Sequence, residues 1–205
     1  MSDPHAITDL ASLEALYGAP SPRSITKVVH RITPEYRRLL EAAPLFALAT
    51  SGPGGLDCSP RGDAGSSVTI LDETTLLIPD RRGNNRLDSL KNIVEDPIVA
   101  LLFFIPGCDE TVRINGKATL TTDPALRAQL AVKGREPATV IKVEIGEMYF
   151  QCSSALLRSD IWNPEKHQDR ASLPTAGELI KAGEPDFDAK TYDAELPARK
   201  ADTLY

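Results

Sequence analysis

Two neighbouring segments, 98–105 and 111–121, constrain the fold most strongly. The first, Ile98-Val99-Ala100-Leu101-Leu102-Phe103-Phe104-Ile105, is an unbroken apolar run. It is far too short to cross a bilayer as a helix, and it reads as a strand buried from both sides. The second alternates cleanly. Val112, Ile114, Ala118 and Leu120 fall on one side and Arg113, Asn115, Lys117 and Thr119 on the other, as in a strand with one face on a core and the other toward water or a polar ligand. A chain holding both must build a sheet, and its other segments make that sheet antiparallel. Segments 45–51 and 56–60 flank a Gly-Pro-Gly-Gly turn, and 68–71 and 75–78 flank Asp72-Glu73-Thr74. In 139–152, Val143 and Ile145 alternate with Lys142 and Glu144.

Helices are few and peripheral. Leu10, Leu13 and Leu16 recur at helical spacing over 8–17 after a cap at Thr8, and Pro34 opens a second helix over 34–43 behind Thr33. A third runs over 86–95, with Leu87, Leu90 and Val94 on one face, and shorter pieces are expected near 123–132, 175–181 and 187–196. Many short antiparallel strands with few helices predict a mainly β fold with peripheral helices, an antiparallel barrel whose closure removes exposed edges. The expected organisation is an N-terminal helical arm over 1–32, a barrel domain over 33–154 and a C-terminal helical arm over 155–205. That last segment holds the only tryptophan, Trp162, and is too polar for a second core, so it should pack on the barrel or on a partner subunit.

With 205 residues and a net charge of -6, the chain suits one domain with a sizeable core. Its acidic balance argues against a nucleic-acid or anionic-membrane surface. Met1-Ser2-Asp3-Pro4-His5 lacks the basic and apolar regions of a signal peptide, so a cytoplasmic location is expected. Cys58, Cys108 and Cys152 form no CxxC pair, and His5, His30 and His167 are scattered, which fits reduced thiols and no metal site.

Against that background the stretch Asp80-Arg81-Arg82-Gly83-Asn84-Asn85-Arg86 stands out, between an apolar strand and a helix. A helix start carries N–H groups without internal partners, Asn85 could cap them, and arginines add charge-assisted donors. The ingredients are those of a site for a small anionic partner, a phosphate-bearing ligand first. The same residues also read as a solvated loop in which Asn85 caps its helix and Asp88 favours the first turn. No P-loop or dinucleotide glycine fingerprint accompanies them.

The order of motifs carries a further signal: a helix, a strand, Cys58-Ser59-Pro60-Arg61-Gly62-Asp63, a hairpin, Pro79-Asp80-Arg81-Arg82-Gly83-Asn84-Asn85-Arg86, a helix, Asp96-Pro97 and the apolar strand. Over about 33–154 the chain resembles the pyridoxamine 5'-phosphate oxidase-like family of FMN-binding split barrels. The resemblance implies a homodimer with FMN at the subunit interface and hydride transfer between the flavin and a small organic substrate or a nicotinamide. It implies that Ser59 and Arg61 face FMN, that Arg82, Asn84, Asn85 and Arg86 lie near its phosphate, and that Ser89 is a further donor. Gln151 and Trp162 would reach the flavin or its substrate face from the second subunit. Each has an ordinary alternative: a local pair between Arg61 and Asp63, a hydrogen bond from Ser89 to its own helix, a half-exposed polar position for Gln151, and dimer packing for Trp162. No catalytic residue is marked. The basic and aromatic C-terminal segment with which pyridoxamine-phosphate oxidases grip their substrate is not found in Pro197-Ala198-Arg199-Lys200-Ala201-Asp202-Thr203-Leu204-Tyr205, so vitamin B6 oxidation is not expected. The alternatives are a non-catalytic flavin- or haem-binding module and a deazaflavin-dependent reductase.

Overall fold

The computed structural model describes residues 3–204. Three helices come first, α1 (Leu10–Tyr17), α2 (Pro22–Thr26) and α3 (Pro34–Glu41). The strands β1 (Leu45–Gly52), β2 (Gly55–Gly62), β3 (Thr69–Ile70) and β4 (Thr75–Pro79) lead to α4 (Asp88–Glu95). Then follow β5 (Ile98–Phe104), β6 (Thr111–Thr121), α5 (Pro124–Gln129), β7 (Val140–Gln151), α6 (Ser154–Ser159), α7 (Ala176–Gly183) and α8 (Ala189–Thr203). All seven strands join one sheet in the order β2-β1-β5-β6-β7-β4-β3, with every pairing antiparallel.

This is the split-barrel arrangement, and the expected closure does not occur. β2 and β3 remain as sheet edges, and side chains rather than a strand ladder join the two ends. Local chemistry explains where elements begin. Thr33 accepts from the Tyr36 N–H, with Pro34 in the first helical turn. Asp9, not Thr8, caps α1 by accepting from the Ser12 N–H at 2.8 Å. In β6 a bulge at Asn115/Gly116 shifts the register against β7, and a Cβ on Gly116 would run into the Glu144 carbonyl oxygen.

The main core lies on one face of the sheet, and a smaller cluster of Leu77, Val140 and Leu130 lies on the other. Phe46 and Leu48 of β1, Leu101 and Phe103 of β5, Ile114 of β6 and Ile141 and Val143 of β7 are buried in the main core beside Leu40 of α3. The Phe46 and Phe103 rings stack at 4.9 Å. The expectation that β5 is buried on both faces is corrected. Val99, Leu101 and Phe103 point inward, while Ile98 is 53 % exposed and Ala100, Leu102 and Phe104 are only half-buried. That outer face continues through Leu45, 43 % exposed, to Leu56, 90 % exposed, along the β1 and β2 registers.

A second correction concerns the start of α4. The helix begins at Asp88, not at 86, and its cap position is Leu87, which makes no side-chain capping bond. Asn85 does not cap it. The chain instead turns through Asn85 and Leu87, both at φ 61°, a left-handed conformation that Asn tolerates and Leu seldom adopts. In the C-terminal region α7 and α8 pack on each other: the Gly177 N–H donates to Asp193 at 2.8 Å, where a Cβ would sit 2.5 Å from the Ala189 carbonyl oxygen. Trp162 anchors the start of this region to the barrel, its indole N–H donating to the Cys108 carbonyl at 2.9 Å. Among the described residues no helix is long and apolar enough to cross a membrane, and no group of three or more His, Cys, Asp or Glu side chains could hold a metal ion.

Candidate functional site

The site grows from an edge strand whose inward face changes character. Asp57, Ser59 and Arg61 of β2 stand opposite Thr50, Leu48 and Phe46 of β1, so all three share the face that carries the core. On β1 that face is buried; on β2, half-buried and polar, it meets the first turn of α4. Asn92 fixes the helix there. Its buried amide donates to Thr50 Oγ1 at 3.1 Å and to the Gly55 carbonyl at 3.2 Å, and a Cβ on Gly52 would lie 2.5 Å from its Oδ1. One helical turn earlier, on the same side, Ser89 is held over β2.

Ser89 Oγ donates to Asp57 Oδ2 at 2.5 Å, and Ser59 Oγ donates to the same oxygen at 2.8 Å. Arg61 Nη2 donates to Ser89 Oγ at 3.2 Å and Nη1 pairs with Asp80 at 2.8 Å. The local Arg61–Asp63 pair is therefore not formed. Asp63 instead takes two bonds from Arg81, at 2.8 and 2.5 Å, and Arg81 also donates to the Leu130 carbonyl at 2.7 Å. These two ion pairs, both largely shielded from solvent, tie the end of β2 to the end of β4 across the split in the sheet.

A cavity of about 800 Å³ opens above this tie, within the usual range for a small-molecule site. Of the residues singled out in the sequence, Ser59, Arg61, Arg82, Asn84, Asn85, Arg86 and Ser89 all line it. Gln151 does not: it ends β7, whereas the cavity lies by Thr139 at the strand's other end. Trp162 does not line it either. The arginines differ sharply. Arg82 is exposed and makes no ion pair or hydrogen bond among the described residues. Arg86 pairs with Asp88 at 2.8 Å, and that hydrogen bond, with the Asp88 charge and a smaller contribution from Asp57, raises its pKa above the ordinary arginine value. Ser89 is not a spare donor, because its proton is committed to Asp57.

Several lining residues escaped sequence reasoning. Asp57 lies in the segment 56–60, singled out only as a strand, and Asp80 opens the charged stretch without being assigned a role. The opposite wall, Arg135 to Thr139, carries no motif. It is shaped by Arg127, which donates to the Pro137 carbonyl at 2.8 Å and pairs with Glu136 at 3.4 Å, and by a turn through Lys133 and Gly134, both left-handed. The Asp80 N–H joins it to the first wall by donating to the Thr139 carbonyl at 3.0 Å. Two buried polar atoms lack a partner among the described residues, Arg61 Nε and Thr139 Oγ1, and both residues line this cavity.

The family model described as pyridoxamine 5'-phosphate oxidase matches residues 32–152, more than half of the chain. Among solved structures, a HupZ protein of Group A Streptococcus is 18% identical with a TM-score of 0.48, covering 58% of this chain and 93% of its own. A Lactobacillus delbrueckii protein provisionally described as a pyridoxamine 5'-phosphate oxidase is 24% identical with a TM-score of 0.48, covering 59% and 95%. An F420 reductase is 20% identical with a TM-score of 0.42, covering 58% and 98%. No curated protein matches. With its seven-stranded split sheet and the family match across the whole of it, the chain belongs to the pyridoxamine 5'-phosphate oxidase-like family.

Proposed function

We propose that this protein binds FMN in the cavity between β2, the start of α4 and the 135–139 wall, and acts as an FMN-dependent oxidoreductase on a small organic substrate or a nicotinamide. One observation carries the reading: the two buried polar atoms without partners, on Arg61 and Thr139, both belong to the walls of this cavity. Buried polar groups are nearly always paired, so two orphans on residues that line one cavity favour a polar ligand there. The donor set suits a phosphate ester. Arg82 is an uncommitted cation, Arg86 shares its guanidinium with Asp88, and the first turn of α4 has no capping side chain. Asn84 accepts from the Arg86 N–H through Oδ1, which orients its amide in the same loop.

Bound FMN would supply the hydride chemistry, while the protein supplies position and electrostatics. Arg61, locked to Asp80 and Ser89, would hold Ser89 in place beside the ligand. Arg82 and Arg86 would anchor the phosphate rather than react. A homodimer is part of the proposal, supported by the apolar outer face of β1 and β5, which a second copy would cover. The cavity suits haem poorly, since no His, Cys, Met or Tyr is among its lining residues to serve as an axial ligand.

The test is the visible absorption spectrum of protein purified without added cofactor, with identification of whatever acid releases. Two flavin bands and about one FMN per subunit are expected. A Soret band, a released deazaflavin, or colourless protein that takes up no added FMN would overturn the proposal.

A further inference from the structure

The cavity has exposed cations at its rim and, on its floor, a serine–carboxylate cluster whose one cation, Arg61, is paired with Asp80. At the rim, Arg82 and Arg86 are donors only. On the floor, Ser59 Oγ and Ser89 Oγ lie 2.8 and 2.5 Å from Asp57 Oδ2 and 3.3 Å from each other, so the single proton of each serine is taken up within this cluster. Ser89 also receives Arg61 Nη2 at 3.2 Å. What Asp57, Ser59 and Ser89 can still offer is therefore acceptor capacity, a carboxylate and hydroxyl lone pairs. A phosphate is itself an acceptor; placed there it would meet those lone pairs and the Asp57 charge, while the one cation beside them, Arg61, is already paired with Asp80. Turning either serine proton toward it would strip Asp57 of a donor. Ligand hydroxyls, which bring their own protons, fit the floor instead.

We propose that Asp57, Ser59 and Ser89 form a hydroxyl-recognising subsite that accepts hydrogen bonds from the polyol chain of the ligand, with the phosphate held apart on Arg82 and Arg86. This rests on the FMN reading above and deepens it: the ribityl chain lies on the floor, and Asp57 selects for its hydroxyls. Ser59 and Ser89 then serve as acceptors fixed by Asp57, not as phosphate donors.

The experiment titrates wild type, Asp57→Ala and Asp57→Asn with FMN, with riboflavin, which lacks the phosphate, and with lumiflavin, which lacks the polyol chain, following flavin fluorescence. Asp57→Ala should weaken riboflavin tenfold or more, weaken FMN by no more than that, and leave lumiflavin within twofold. Asp57→Asn, whose amide oxygen still accepts, should fall between wild type and Asp57→Ala, and it keeps the test open if the alanine variant fails to fold. Unchanged riboflavin affinity in both variants, or a loss confined to FMN, overturns the subsite while leaving FMN binding intact. A wild-type protein that binds neither FMN nor riboflavin overturns the FMN reading and the subsite together.

Discussion

Arg81 and Arg82 are adjacent in the chain and belong to different parts of the molecule. Arg81, with its side chain 18% exposed, is bound twice to Asp63 and once to the Leu130 carbonyl, so it works as a rivet between β2, β4 and the α5 region. Arg82 is exposed on the cavity rim and is committed to nothing among the described residues. The difference teaches that a cluster of like charges is not one functional unit. The fold neutralises Arg81 at its seam, shares Arg86 with Asp88 and leaves Arg82 uncommitted among the described residues. Arg61 stands between the two cases, paired through Nη1 with Asp80 yet keeping an orphaned Nε at the cavity wall.

The comparison can be broken first at the seam. Asp63→Ala or Arg81→Ala should cost about 2–4 kcal/mol in urea unfolding, because removing one partner leaves a shielded charge uncompensated. A loss under about 0.5 kcal/mol would mean that the rivet contributes nothing. Arg82→Ala should leave stability within about 0.5 kcal/mol and weaken FMN by roughly ten- to a hundredfold, the value of one charge-assisted contact of about 1.5–3 kcal/mol. A stability loss with unchanged FMN affinity would reverse the two assignments. Asn92→Ala, which removes both bonds holding α4 on the β1–β2 turn, should cost about 1–2 kcal/mol and loosen FMN through displacement of Ser89. Arg86→Ala should have the smallest effect, a drop in FMN affinity of about three- to tenfold, since Asp88 already shares that guanidinium. Full FMN affinity in Arg86→Ala would remove it from the phosphate site.

Much of the architecture was legible because it depends on local pattern. The alternation across 111–121 and the Thr33-Pro34 helix start are read directly from neighbouring residues, and both are found as expected. The motif residues Ser59, Arg61, Arg82, Asn84, Asn85, Arg86 and Ser89 do converge on one cavity. What escaped depends on distance along the chain. Nothing near Arg61 announces that Asp80 rather than Asp63 is its partner, or that Ser89 will find Asp57. Apolar periodicity could not tell a β5 covered on both faces from one whose second face is only partly buried. The Asn85 cap failed because capping preference is local, whereas the path of the chain into α4, through two left-handed residues, is set by the cavity wall that it builds. Gln151 ends β7 away from this chain's own cavity, and the expectation for it concerns the flavin of a second subunit.

The division proposed for the cavity sets a phosphate on Arg82 and Arg86 at the rim and the acceptors of Asp57, Ser59 and Ser89 beneath it. Titrating the wild-type protein with FMN and riboflavin side by side, at low and high salt, tests it most directly. FMN should bind at least tenfold more tightly at low ionic strength, and the gap should narrow as salt screens the exposed Arg82 and Arg86. Equal affinities for the two flavins at low salt would contradict the claim, because the phosphate would then gain nothing from the arginines of this loop.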